Sequence, residues 1–374
     1  MRLERLLAAV SLMGVPMPQP AVAGEPVQTT VFVHEGRDWY RIPSLVVSPK
    51  GVVLAFASRR KGSLGDFGHE TDVVLRRSLD GGKTWQPMQT LVSRKDTDIH
   101  HGPAVVDRKA GAVLKFCRYW PATGRPKQVV RNTPYAEMRE RGWLDHVVVS
   151  RDEGETWGEP RPVPLAFPEG AVSAATGNGV HGIQLADGRL LIQAGYVTAG
   201  KRTSCVFYSD DGGKTWRRGA AASVGGSIRE FGLAERRDGT VYVNVRARGG
   251  HRRVGVSPDM GETFGPFRPD ETLPDPFCHA GLIALDARGD GPRRFVFSNP
   301  AGPGRKALTL RLSLDEGKTW PVTRVLHPGH AAYSDLAVLP DGSLGCLYET
   351  GDRRLYGSIV FARIPLSWLQ PTGD

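Results

Sequence analysis

A few charged and phenolic residues stand where the surrounding sequence is otherwise apolar. Arg41 lies in Tyr-Arg-Ile-Pro, ahead of the alternating Leu45 and Val47; Arg246 closes the apolar run 241–245. Glu230 and Glu349 flank strand-like runs with little other charge, and Tyr333 follows the small pair Ala331-Ala332 at the start of another run. These side chains have a definite chemistry. A guanidinium is always charged and pairs bidentately with carboxylates. A phenol is a poor nucleophile at its free pKa of about 10 and needs a neighbouring base to act as one. Singly, each residue also has an ordinary reading as a solvated Arg, a packed Tyr or a capped Glu. Only the set, gathered in one place, would make a site.

The elements that would gather them are marked by a repeat. Residues 78–85, 150–157, 209–216, 257–264 and 313–320 share the pattern Ser-x-Asp-x-Gly-x-Thr-aromatic. Ser and Asp side chains can bond nearby backbone N–H groups, Gly takes a backbone angle other residues avoid, and the aromatic anchors the turn. Each copy follows a β-like run, and such spacing indicates a propeller or solenoid. Asp187-Gly188, Asp238-Gly239 and Asp341-Gly342 each separate two apolar runs, a strong hairpin signal. Five repeats plus a terminal blade without one predict an all-β, six-bladed β-propeller over residues 27–370, read as one domain. Its last strand, near 358–363, is expected to pair with the first and so remove exposed edges. In a propeller the polar residues above point to a central mouth where loops converge. An excursion at 119–145 exceeds the usual connection length. Thr133-Pro134 would open a short helix in it and Gly142 would close it.

Composition narrows the class. With 46 Gly and 28 Pro in 374 residues, many short strands and tight turns are favoured over long helices. No stretch is apolar for long enough to span a bilayer. Arg2 and Arg5, the apolar run 6–15 and Ala21-Val22-Ala23 read as an export signal over residues 1–23, which implies a secreted or periplasmic protein. Cys117, Cys205 and Cys346 lie in apolar runs, so buried free thiols are expected there, and no Cys or His spacing suggests a metal. The net charge of +10 is dispersed, with no basic run interleaved with aromatics. This argues against nucleic acid and suits an acidic carbohydrate.

Together these motifs resemble the exo-α-sialidase (neuraminidase) family, glycoside hydrolase family 33-like, across nearly the whole mature chain. The resemblance rests on Tyr40-Arg41-Ile42-Pro43, the five Asp-boxes, Gly182-Ile183-Gln184-Leu185, Ala332-Tyr333-Ser334-Asp335-Leu336 and Gly345-Cys346-Leu347-Tyr348-Glu349. It implies that Arg41, Arg246 and Arg305 clamp the substrate carboxylate, with Arg294 and Arg311 as competitors for the third place. It further implies that Glu349 holds Arg41, that Tyr333 is the nucleophile with Glu230 as its base, that Asp66 is the acid/base, and that Arg60 contacts the sugar ring. Asp72 competes with Asp66 by type but falls inside a strand. Tyr suits the nucleophile's place because a carboxylate would be repelled by the sugar's own carboxylate, and sialidases are an exception among glycosidases in this respect.

His100-His101-Gly102-Pro103 departs from the family's usual Asn-Pro. His101 is taken as a candidate for reading the sugar's C5 substituent, with a surface pair in a turn as the alternative. The resemblance implies a retaining hydrolase of terminal α-ketosidically linked sialic acids, without metal or organic cofactor. Its partners would be glycans capped by sialic or other acidic sugars, with no nucleic acid or membrane span, and it would be a monomer. Two alternatives stay open: a hydrolase of another ulosonic acid, such as a deaminated (Kdn) or Kdo-like sugar, and a secreted non-catalytic glycan-binding propeller. A propeller scaffold for protein partners has no specific feature in its favour.

Overall fold

The computed structural model describes residues 24–122, 126–179, 181–285, 291–352 and 356–370; the export signal expected over 1–23 lies outside them. The strands pair into six antiparallel sheets; the first five follow chain order, and the N-terminal strand completes the sixth. The first holds Asp38–Val47, Val53–Lys61, Thr71–Ser78 and Gln89–Val92. The second holds Thr97–Asp107, Ala112–Pro121, Asp145–Ser150 and Arg161–Pro162. In the third the inner strand is broken: Val172–Thr176 and Ile183–Gln184 both pair with Leu190–Thr198, which is followed by Lys201–Ser209 and Arg217–Ala222. The fourth holds Gly226–Glu235, Val241–Ala247, His251–Ser257 and Arg268–Pro274. The fifth holds Gly281–Ala284, Phe295–Gly302, Lys306–Ser313 and the first half of Val322–Val338.

The second half of that long strand starts the sixth sheet, with Leu344–Thr350, Ser358–Ile364 and Val27–Val33. Val27 stands opposite Arg363 and Val33 opposite Ser358, so the first and last strands share one sheet, as the sequence predicts. Strand Val322–Val338 also lies against Asp38–Val47 of the first sheet. The fold is a six-bladed β-propeller. Among the described residues no helix is long and apolar enough to cross a membrane.

The octapeptides explain how one blade grips the next. In all five, the Gly N–H donates to the Ser Oγ, and the Thr N–H and Oγ1 donate to the two Asp oxygens. That Gly has φ between +77° and +92° in every copy. A Cβ on Gly82, Gly154, Gly213, Gly261 or Gly317 would come within 2.1–2.9 Å of Phe361, Leu54, Leu114, Leu191 or Tyr242 respectively. Each of these lies on the preceding blade. Glycine is therefore required twice, by its backbone angle and by close approach of the neighbouring sheet. The terminal aromatics lean the same way: Trp85 meets Phe361 edge-on, Trp157 meets Phe56 and Trp216 meets Phe116.

In the 119–145 excursion the expected helix spans Tyr135–Glu140 and is followed by Gly142 at φ +71°. A second helix, Pro126–Asn132, precedes it. Tyr135 and Met138 are buried with Phe116, Trp120 and Leu165, and the Tyr135 N–H donates to the Ala171 carbonyl at 2.7 Å. The helix is thus packed onto the second and third blades. All four cysteines are buried and free.

Candidate active site

The Arg-Ile-Pro segment is a kink in the innermost strand of the first blade. Pairing with the next strand is interrupted between Arg41 and Ser44, and Ile42 has φ +61°. A β-branched residue in this left-handed region is strained. The kink turns both the Arg41 side chain and the Ile42 N–H toward Glu349. Glu349 Oε1 accepts from Arg41 Nε at 2.6 Å and from the Ile42 N–H at 2.7 Å. Its Oε2 accepts from Arg41 Nη2 at 3.4 Å and from the Tyr333 N–H at 3.1 Å. One fully buried carboxylate thus joins the first blade to the sixth and fixes the backbone of Tyr333. Burial opposes the charge of Arg41, but the Glu349 carboxylate holds its pKa above the ordinary value.

Tyr333 sits where the long fifth-to-sixth strand changes sheets, between Ala331 paired with Thr350 and Ser334 paired with Tyr348. Its hydroxyl donates to Glu230 Oε1 at 2.7 Å and accepts from Arg246 Nη1 at 2.8 Å. Arg246 Nη1 also donates to Glu230 Oε2. The guanidinium carbons of Arg41, Arg246 and Arg305 lie 5.8, 5.8 and 5.9 Å from the Tyr333 ring centroid. Three cations from the first, fourth and fifth blades thus surround one phenol. Burial pushes the Tyr333 phenol well above its ordinary pKa, and the negative charge of Glu230 pushes it further. Burial would also raise Glu230, but the Arg246 guanidinium, His279 and the Tyr333 hydrogen bond hold it below the usual carboxylate range. The resting pair is a phenol and a carboxylate, with the proton on the tyrosine.

The competitors are placed elsewhere. Arg311 is buried in its sheet and donates to Asn299 Oδ1 at 2.9 Å. Arg294 adjoins the start of strand Phe295–Gly302, the end remote from Arg305, and its carbonyl accepts from the Leu285 N–H. Asp72 is buried between Arg59, at 2.5 Å, Lys61, at 3.2 Å, and Ser93.

Asp66, Arg60 and His101 line one pocket together with Tyr333 and Glu230. The Asp66 side chain is 70 % exposed and its Oδ1 lies 3.1 Å from Arg60 Nη1. Arg60 also donates to the Leu64 and Gly65 carbonyls, at 2.8 and 2.9 Å, which shapes the loop that carries Asp66. Partial enclosure raises the Asp66 carboxyl, but the Arg60 and Arg41 guanidinium groups pull it below the usual carboxylate range. His101 is buried and faces the pocket rather than forming part of a surface turn. Burial, and then the nearby Lys115 charge, push its pKa well below the ordinary value, so it is neutral near pH 7. His100 stacks on Phe67, with ring centroids 4.9 Å apart.

Sequence reasoning missed several further residues of the pocket: Asp98, Arg118, Trp120, Asn178 and Arg229. The usable signal was the one that drew attention to Arg41 and Arg246. Arg118 interrupts the apolar run around Phe116 and Trp120, and Arg229 directly precedes Glu230. Among the described residues no cluster of three or more His, Cys, Asp or Glu side chains could hold a metal ion.

Residues 51–346 match the BNR repeat-like domain family. The chain is 36 % identical over 382 residues to a sialidase of Micromonospora viridifaciens, covering 96 % of this chain and 57 % of that protein. It is 29 % identical to a sialidase of Bacteroides fragilis, covering 85 % of this chain and 61 % of that protein. It therefore spans less than two thirds of the length of these relatives. Among solved structures it resembles the Hadza microbial sialidase Hz136, with a TM-score of 0.78, 27 % identity, and coverage of 89 % of this chain and 66 % of that one.

Proposed function

Because the chain belongs to the sialidase family of BNR-repeat proteins, we propose that it is an exo-glycosidase that removes terminal α-ketosidically linked sialic acids with retention of configuration. The observation that carries this reading is the Tyr333 hydroxyl, hydrogen-bonded at 2.7 Å to a carboxylate and at 2.8 Å to a guanidinium, within a ring of three arginines.

Arg41, Arg246 and Arg305 hold the sugar's carboxylate, each able to offer paired N–H groups to it. This sets the anomeric carbon against the Tyr333 oxygen. As the glycosidic bond breaks, Asp66 gives its proton to the leaving oxygen. The Tyr333 oxygen bonds to the anomeric carbon while its proton passes to Glu230. A neutral phenol approaches a carbon that bears a carboxylate without the repulsion an anionic nucleophile would meet. In the second half Asp66, now a carboxylate, takes a proton from water. That water displaces the tyrosine, which recovers its own proton from Glu230. Two displacements at one carbon restore the original configuration. The depressed pKa of Asp66 requires that substrate binding, by covering the carboxyl and engaging Arg60, raise it before the acid step.

A second reading concerns which ulosonic acid is removed. Among the described residues, two buried polar atoms of this pocket, Arg118 Nε and Trp120 Nε1, have no hydrogen-bond partner. A lining of this kind favours a C5 substituent bearing a hydroxyl, as in a glycolylated or deaminated sugar, over one ending in a methyl group. One experiment tests both levels. Aryl glycosides of the N-acetyl, N-glycolyl and deaminated sugars are turned over by wild-type enzyme, Tyr333→Phe and Asp66→Ala. Each substitution is expected to lower turnover by orders of magnitude at unchanged melting temperature. Wild-type rates in both variants would refute the assignment, and the ranking of the three sugars decides the second reading.

A further inference from the structure

Each arginine proposed to bind the substrate carboxylate is in contact with Tyr356 or Phe277. Tyr356, on the turn between Leu344–Thr350 and Ser358–Ile364, places its ring centroid 3.5 Å from the guanidinium carbon of Arg41. Its hydroxyl accepts a hydrogen bond from Arg305 Nη1 at 2.9 Å. Phe277, at φ +57°, lies with its ring centroid 4.0 Å from the guanidinium carbon of Arg246. The Phe277 carbonyl accepts from Arg305 Nη2 at 3.0 Å.

A partly buried guanidinium without a partner is costly, and an aromatic face or a phenol oxygen offsets that cost. The Glu349 carboxylate already holds Arg41 Nε and Nη2, so the face of Arg41 is what Tyr356 covers. Arg305 is only half-buried, and both of its Nη atoms are engaged, one by Tyr356 and one by Phe277. The sugar carboxylate needs the same two arginines.

Resting on the sialidase reading, we propose that Tyr356 is a placeholder for the substrate carboxylate. Its hydroxyl oxygen stands where one carboxylate oxygen must bind Arg305, and its ring lies over Arg41. Tyr356 is itself half-buried, so its side chain has solvent to turn into when the carboxylate enters. The consequence has an unusual sign. A residue that contacts substrate weakens binding when removed, whereas a competitor for the same donors strengthens it. Tyr356 would also lower affinity for small anions that lack the rest of the sugar, since they gain too little to displace it.

The test is calorimetric titration of the 2,3-dehydrated sialic acid analogue into wild-type protein, Tyr356→Phe and Tyr356→Ala, with melting temperatures measured alongside. Loss of one cation–π contact and one charged hydrogen bond should make the Ala variant bind about tenfold tighter, and loss of the hydroxyl alone should make the Phe variant bind about threefold tighter. If the Ala variant does not fold, the Phe variant decides. Unchanged or weaker binding in the folded variants overturns the proposal and makes Tyr356 a bystander or a true clamp residue. Wild-type protein that shows no saturable binding removes the sialidase reading, and the placeholder with it, so the two failures are read from different proteins.

Discussion

Replacing Glu230 with Gln separates two effects that the same carboxylate exerts on Tyr333. Glu230 accepts the phenol proton at 2.7 Å, and loss of such a base typically costs about 10²- to 10⁴-fold in rate. The carboxylate also neutralises Arg246 and raises the phenol's pKa by its negative charge. In Glu230→Gln that charge is gone, while Arg246 Nη1 remains 2.8 Å from the phenol oxygen. The phenol's pKa should therefore fall, and each unit of fall gives about tenfold more phenolate at any pH below it. The variant should be most impaired in acid and recover as pH rises. The assay is kcat/KM on an aryl sialoside, measured from acid to mildly alkaline pH. The informative quantity is the ratio of variant to wild type, which cancels other titrations the two share. A deficit of at least about a hundredfold at acid pH, narrowing with rising pH, is expected. A ratio near one, or a large deficit independent of pH, would refute the reasoning.

Arg60→Met removes the cation 3.1 Å from Asp66. The Asp66 carboxyl is now held below its usual range; without Arg60 it rises, stays protonated to higher pH, and the alkaline limb of kcat/KM on an unactivated sialoside should move upward. A limb that stays in place would dissociate Asp66 from the acid step. Glu349→Gln leaves the buried Arg41 charge without its carboxylate and turns an amide NH₂ toward backbone donors. A loss of about 3–5 kcal/mol in denaturant unfolding is expected, together with a raised KM. A variant of native stability would show that Glu349 is not what holds the Arg-Ile-Pro kink.

The parts of the fold legible in the sequence are those whose interactions close within a few residues. Each octapeptide satisfies its own Ser, Asp and Thr within eight positions, and each Asp-Gly hairpin carries its own turn geometry, so blades and their number could be counted. What the box Gly does to the preceding blade could not be read, because Gly82 meets Phe361 only after the ring is formed. The site was legible where an Arg or Glu interrupts an apolar run, and the family resemblance then supplied roles. Arg118 and Arg229 carried the same local signal, but nothing in the sequence said that their strands face the pocket. Tyr356 carried none, since an aromatic near a turn is unremarkable until Arg41 and Arg305 are seen beneath it. Helix Pro126–Asn132 was missed because no Ser, Thr, Asp or Asn directly precedes Pro126 in the sequence to mark its start.

The most direct test of the account is to trap the glycosyl-enzyme. A 2,3-difluoro sialic acid, whose fluorine at C3 slows the second displacement, is incubated with the protein, which is then digested and mapped by mass spectrometry. One sugar per chain is expected, attached through the oxygen of Tyr333 and not formed by Tyr333→Phe. Turnover without any adduct, or an adduct on a carboxylate such as Asp66 or Glu230, would contradict it.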